Sequence, residues 1–262
     1  MKTLCVNLIS YNEIDYISNW YNCVKQYTDD IVVCDTGSDD GTLEFLLDNK
    51  IKVFRCSQYD LLEKGFDYIR NITRSIINTD YIHYLDCDEY VDENFRKNIH
   101  NTLNKMDREN ILSLKVKTRT YKKNNNIQKL DYDNIINNCE SYDMKHVRLH
   151  KNIDEIKWRG YIHEEIFFNE QNIATYSQTK KYCSELDGLI HHHFTEFRNQ
   201  ELNDKKRLKY DYMVLNAYYN KSLQKYTNKW WYEVHAKERI NNSLENLLNL
   251  KEKLYGNKQD YT

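Results

Sequence analysis

The sequence predicts an α/β fold around a mixed, mostly parallel central sheet flanked by helices, on two observations. Over the first hundred residues, short apolar runs alternate with longer amphipathic stretches, the pattern of stacked strand and helix units. The apolar runs also feed polar turns, and ligands of open α/β sheets bind at the carboxyl ends of strands, where loops converge and helix N-termini point. The 262 residues suffice for one large domain or one and a half small ones.

The elements follow in order. Residues 4–9 form the first strand, and 15–26 a helix with Tyr16, Ile17, Trp20 and Val24 on one stripe. Ile31, Val32, Val33 and Cys34 form a buried strand ending at Asp35, and the turn 36–41 leads into a helix carrying Leu43, Leu46 and Leu47. Residues 52–55 are a third strand, 65–78 a third helix, and 81–85 a fourth strand running straight into Asp86, Cys87, Asp88 and Glu89. The second half changes character, with a long strand over 111–120, a polar loop over 122–128 and strand-like pieces at 146–150, 158–168 and 186–194. From residue 201 the pattern is helical to the end, with Leu208, Tyr212 and Leu215 on one helix and Leu244, Leu247, Leu248 and Leu250 on another.

Composition excludes several classes. Hydrophobic residues at 40% and aromatics at 13%, including 23 Tyr, are too many for a disordered chain even with 30% charged residues. Lys plus Arg (38) nearly balance Asp plus Glu (40), so no basic field draws the chain to nucleic acid. No stretch approaches the roughly 20 apolar residues of a membrane span. The N-terminus meets Asn12 and Glu13 before any cleavage site, so it does not read as a secretory leader. Seven scattered cysteines without C-x-x-C pairs read as reduced thiols, and a cytoplasmic location is expected. Proline is absent, which removes it as a boundary marker. There is no G-x-G-x-x-G and no G-x-x-x-x-G-K-[ST], residues 35–41 do not fit an EF-hand, and residues 163–167 are not a zincin helix.

Three polar clusters fall at strand ends: Ser10, Tyr11, Asn12 and Glu13; residues 35–42; and Asp86, Cys87 and Asp88. Each could be an ordinary capped turn, since Ser38 and Asp39 suit an N-cap. Asp86 and Asp88 are two apart in an extended segment and project to one side. Two carboxylates about 4 Å apart repel by roughly 4 kcal/mol at an effective dielectric near 20, which asks for a neutralising partner. Hard oxygen donors on an open site suit Mg2+ or Mn2+; the alternative is a solvated acidic helix start.

Asn12-Glu13, residues 31–42 (IVVCDTGSDDGT), Arg70-Asn71, residues 85–89 (LDCDE) and, more loosely, Arg148-Leu149 and residues 158–164 (WRGYIHE) carry a family resemblance over roughly residues 3–194. In these segments the sequence resembles family 2 glycosyltransferases of GT-A fold, in particular the branch that includes lipopolysaccharide-core sugar transferases. The resemblance implies a nucleotide-binding part over 1–100 and an acceptor-side part over 101–200; the helical extension over 201–262 lies outside it. It implies a metal-dependent, inverting hexosyltransferase that takes a nucleotide-diphosphate sugar, UDP-linked, to a carbohydrate, glycolipid or glycoprotein acceptor. Ser10, Asn12, Glu13, Asp35 and Arg70 then contact the nucleotide, and Asp86 and Asp88 match the D-x-D pair, the second being the usual direct metal ligand. Glu164 is the candidate general base and Glu165 the alternative, since in an extended segment adjacent residues face opposite ways and only one of the pair points into the site.

His191, His192 and His193 end a strand-like run, so alternation puts His191 and His193 on one side. Some relatives use a late histidine as a metal ligand; a packed histidine cluster is the competing reading. Trp230-Trp231 and the terminal helices could close over an acceptor or pair two copies, or simply form a core. Two other functions stand beside this one: a sugar nucleotidyltransferase, which usually wants a glycine-rich basic loop where residues 10–13 lie, and a non-catalytic carbohydrate-binding protein.

Overall fold

The computed structural model describes residues 2–123, 131–173, 182–220 and 245. The elements are β1 (Leu4–Ser10), α1 (Ile14–Val24), β2 (Asp30–Asp35), α2 (Thr42–Asp48), β3 (Lys52–Arg55), α3 (Gln58–Lys64), α4 (Phe66–Arg74), β4 (Tyr81–Tyr84), β5 (Glu89–Val91) and α5 (Glu93–Arg108). They continue with β6 (Ser113–Tyr121), α6 (Tyr132–Asn138), β7 (Ser141–Lys151), β8 (Ile156–Arg159), β9 (Glu165–Phe168), β10 (Gln171–Asn172), β11 (Cys183–His193) and α7 (Gln200–Tyr219), the last preceded by a 3-10 turn at Thr195–Phe197.

Eight strands form one mixed sheet in the order β3-β2-β1-β4-β7-β6-β11-β5. The β3-β2-β1-β4 half is parallel throughout. β7 runs antiparallel to both β4 and β6, β11 is parallel to β6, and β5 closes the edge antiparallel to β11. Parallel strands buried on both faces read as continuous apolar runs, and β1 and β2 are buried along nearly their whole length. Leu4, Val6 and Leu8 of β1 join Ile17, Trp20 and Val24 of α1 and Phe95, Ile99 and Leu103 of α5 in one core. Trp20 also donates its indole N–H to the Leu85 carbonyl (3.2 Å), which satisfies a buried polar group and ties α1 to the end of β4.

The chain differs from the sequence expectation in several places. The helix expected over 65–78 is the shorter α4, ending at Arg74, and α3 before it was not expected; Gly65, in the left-handed region (φ +88°), separates the two. A Cβ there would stand 2.7 Å from the Tyr161 Cα and 2.8 Å from its carbonyl oxygen, so the position admits only glycine. Leu47 is 56% exposed, since the seven-residue α2 buries only Thr42, Leu43 and Leu46. The piece 158–168 is not one strand: β8 and β9 are separated by a bend in which His163 takes a positive φ of 55°. The alternation argument for Glu164 and Glu165 therefore loses its extended backbone. β5 and α6 were not expected, and Asp92 is the N-cap of α5, accepting from the Phe95 N–H (2.7 Å). On α7 the buried positions are Asp211, Met213, Val214 and Ala217, while Tyr212 is 45% exposed, so the stripe lies one step away from Leu208, Tyr212 and Leu215. Most of the polar loop, Trp230-Trp231 and the leucines at 244–250 lie outside the described residues.

The described residues cluster into two compact units: 2–58, 69–157 and 166–197 in one, and 59–68, 158–165 and 198–220 in the other. In the second unit, Tyr161 is a hub. Its carbonyl accepts from the Phe66 N–H (3.1 Å), its hydroxyl donates to the Leu62 carbonyl and accepts from Asn216 Nδ2 (3.1 Å). Tyr210 of α7 bonds the His163 imidazole, and Asp67 accepts from the Gly160 N–H (3.1 Å).

Candidate active site

β1 lies between β2 and β4 and is parallel to both, with Ser10 opposite Asp35 and Asn7 opposite Tyr84. Their three carboxyl ends bring the loops 10–13, 35–42 and 86–89 to one edge of the sheet. Chain direction and strand order place them there, not any single residue.

The 35–42 loop is closed upon itself. Asp35 is fully buried, and its carboxylate accepts from the Gly37 and Ser38 N–H groups (both 3.1 Å) and from the Ser38 hydroxyl (2.5 Å). Gly37 supplies the positive φ (+96°) that lets the chain fold back. The loop then clasps residues 12–14. Ser38 Oγ accepts from the Asn12 N–H (3.0 Å), Asn12 and Asp39 exchange two hydrogen bonds (2.7 and 2.9 Å), Thr42 Oγ1 accepts from the Glu13 N–H (2.8 Å) and Asp40 accepts from the Ile14 N–H (3.0 Å). Asn12 sits in the left-handed region (φ 53°), which asparagine tolerates. Burial pushes the Asp40 carboxyl up, but its bonds from Thr42 and Ile14 outweigh that and hold it below the usual range. Glu13 is buried at the start of α1. Ser10 is fully buried as well, and its carbonyl accepts from both the N–H and the hydroxyl of Thr36 (2.9 Å each).

The 86–89 loop is neutralised from outside. Arg148 on β7 donates Nη1 to Asp86 Oδ2 (3.0 Å) and Nη2 to Glu89 Oε1. Glu89 in turn accepts from the Asp86 N–H (3.1 Å). Burial raises the Asp86 carboxyl, yet Arg148 and then Arg70 bring it below the usual range. Glu89, wholly enclosed, is pushed up to about 7 by burial against the pull of Arg148. The same two carboxylates overcome the burial of Arg148 and raise its guanidinium further. Arg70 stacks over the Tyr84 ring (4.6 Å).

Asp88 is buried and faces His193, whose Nε2 stands 3.5 Å from Asp88 Oδ2. Burial alone would lower the His193 imidazole; Asp88 overrides it and brings the group to about 9. β11 alternates as expected, with His191 and His193 on one side and His192 on the other, stacked on Tyr121. The two like-facing histidines sit at different depths. His191 is fully buried, its Nε2 3.0 Å from His83 Nε2 and its Nδ1 3.6 Å from Glu89, and burial drives both His83 and His191 far below the usual imidazole range. Among the described residues no group of three or more His, Cys, Asp or Glu side chains is gathered to hold a metal ion. Asp88 Oδ2 and His193 Nε2 are nonetheless spaced as two neighbours on one ion, which would displace the proton that Asp88 favours on the imidazole, in the open kind of site that Mg2+ or Mn2+ accepts while keeping waters or phosphate oxygens.

The structure thus brings Ser10, Asn12, Glu13, Asp35, Arg70, Asp86, Asp88, His191 and His193 into one unit. Glu164 and Glu165 belong to the other. There, burial raises the Asp67 carboxyl, the nearby Glu164 charge adds to that, and bonds from Gly160 and Tyr68 oppose it. Arg148 and Glu89 carried no role in the sequence reading. The available signal was one arginine inside the apolar alternation of residues 146–150.

No family model matches the sequence. Among similar solved structures is S. aureus TarS, at 14% identity over 96% of this chain and 44% of that chain, with a TM-score of 0.49. The structure of TarS 1–349 in complex with UDP-GlcNAc gives 14% identity over 98% of this chain and 74% of that one, also at 0.49. M. tuberculosis glucosyl-3-phosphoglycerate synthase in complex with Mn2+, UDP-glucose and phosphoglyceric acid gives 18% identity over 45% and 44%, with a TM-score of 0.35. The chain therefore spans less than half the length of that TarS chain.

Proposed function

We propose that the protein is a glycosyltransferase of the GT-A, family 2 type, moving a sugar from a UDP-linked donor to a glycan, lipid-linked or protein acceptor with a divalent ion. The observation that carries this reading is the convergence of loops 10–13, 35–42 and 86–89 on adjacent parallel strands, with the Asp88 and His193 donors 3.5 Å apart beside them. In this reading Ser10, Asn12, Glu13, Asp35 and Arg70 shape the nucleotide pocket within the first hundred residues. Residues 101–200 form the acceptor side, and 201–262 are the helical extension, with homodimerisation through it a further part of the proposal.

Asp88 and His193 would hold Mn2+ or Mg2+, with Asp86 beside them; His191 stands behind His193, turned to His83 and Glu89. When bound, such an ion offsets the charge that grows on a departing diphosphate. The chain's own part is to bind the nucleotide and to take the acceptor proton, which we assign to Glu164 in an inverting displacement. No helix among the described residues is long and apolar enough to cross a membrane, and a cytoplasmic location is part of this proposal.

A thermal-shift panel of UDP-, GDP- and dTDP-sugars with and without Mn2+ tests it. A ligand that binds only the folded state adds about 2.7 kcal/mol of apparent stability at a hundredfold excess over its dissociation constant. Stabilisation by UDP-sugars that requires Mn2+ supports the reading; indifference to every nucleotide sugar defeats it.

A further inference from the structure

Buried ion pairs are poor sources of stability, because desolvation consumes most of the attraction, so a buried arginine between two carboxylates calls for another explanation. Arg148 is such a residue. Its side chain is 13% exposed and that of Glu89 is 0%. Arg148 Nε is buried with no hydrogen-bond partner among the described residues, so the guanidinium is placed for its two Nη contacts at the expense of its third donor.

The two contacts go to different carboxylates. Nη1 reaches Asp86 Oδ2 and Nη2 reaches Glu89 Oε1, while Glu89 Oε2 accepts from the Asp86 N–H (3.1 Å). Asp86 is thereby held at two points, its backbone by Glu89 and its side chain by Arg148. Its side chain is 40% exposed, and Oδ1 takes no hydrogen bond or ion pair among the described residues. Arg148 meets the charge of Asp86 at Oδ2, with Arg70 adding to it, and Oδ1 is the oxygen that Arg148 does not engage.

We propose that Arg148 and Glu89 are positioning residues that fix the place and the charge of Asp86 beside the bound nucleotide sugar. The inference rests on the function proposed above and names the two residues, outside the D-x-D pair, on which the donor site depends. Arginine is required because its planar fork spans two acceptors at fixed spacing, which the point charge of a lysine cannot do.

The test is a double-mutant cycle read by isothermal titration of UDP-glucose in Mn2+, with Asp86→Asn, Arg148→Gln and the pair, and with Arg148→Lys and Glu89→Gln alongside. Each single change at Asp86 or Arg148 is expected to weaken UDP-glucose about tenfold, and the double variant no more than about threefold beyond either, the non-additivity of groups acting as a unit. Arg148→Lys should fall with Arg148→Gln although it keeps the charge, and the Mn2+ concentration for half-maximal binding should move less than about threefold. Losses that multiply in the double variant, or wild-type affinity in Arg148→Lys, overturn the inference. If Arg148→Gln does not fold, Arg148→Lys and Glu89→Gln decide the matter by the same criterion, each paired with Asp86→Asn. Failure of the wild-type protein to bind UDP-glucose, UDP-N-acetylglucosamine or UDP with Mn2+ instead defeats the functional reading, and this inference with it.

Discussion

Loops 36–42 and 86–89 both follow a parallel strand and both carry aspartates, yet their charges are met by different means. Asp35 draws its three donors from residues two and three positions on. Asp86 and Glu89 share one arginine lying 62 and 59 residues further along the chain, and Asp88 faces a histidine from the far end of the sheet. A carboxylate saturated by its own turn stiffens the backbone and has little capacity for a ligand; one balanced by an imported cation keeps a field that a substrate or metal can enter. In the proposed function the first loop is a frame and the second is where substrate or metal charge is met.

The comparison can be broken at either side. Asp35→Ala should have the largest effect, since it orphans three donors around a buried carboxylate. It should cost about 4 kcal/mol of stability in urea denaturation, while a loss under 1 kcal/mol would show that the loop is held by other contacts. Asp88→Ala should weaken Mn2+-dependent UDP binding by about a hundredfold or more, at a smaller loss of stability than Asp35→Ala, about 2 to 3 kcal/mol, because it also removes the ion pair with His193. Equal damage to stability and binding from both variants would erase the distinction between frame and site.

A smaller effect concerns the histidines beside the charged loop. His150 is fully buried between Tyr84 and the Lys151 carbonyl, and burial lowers it to about 4. Between pH 6.5 and 4 the unfolded chain holds this proton and the folded chain does not, so stability is complete above 6.5 and falls as the pH drops. His150→Phe should flatten that acid slope by about 1.4 kcal/mol per pH unit, measured by denaturation at pH 6 and pH 5. An unchanged slope would mean that His150 is protonated in the fold. Smallest is Asn12→Ala, which loses the paired bonds to Asp39 and places alanine at φ 53°, for about 1 kcal/mol. Asn12→Gly should recover part of it by easing the backbone, and a glycine variant weaker than the alanine one would assign the whole effect to the side chain.

What was legible follows the same division. Strands β1 to β4, helix α1 and the turn after β2 were readable because their causes are local: periodicity, a glycine where φ must be positive, a hydroxyl three residues from an aspartate. The same local reasoning placed Asp86 and Asp88 at a strand end. Arg148 stood among the matching segments without a role, since nothing local tells what an arginine in a strand faces until β7 is known to lie next to β4. It also passed over α3 and began the next helix at Gly65, because the need for glycine there comes from Tyr161, almost a hundred residues on.

By itself, then, the sequence determined the strand and helix alternation, the self-closing Asp35 turn and the pair of aspartates after β4, all set by interactions a few residues long. Only the tertiary structure decided which cations face those aspartates, that His191 is enclosed while His193 meets Asp88, and that Glu89 is buried beneath Asp86. Those outcomes depend on strand order and on exclusion of water, and in a chain whose antiparallel and parallel returns span dozens of residues, neither is written in neighbouring letters.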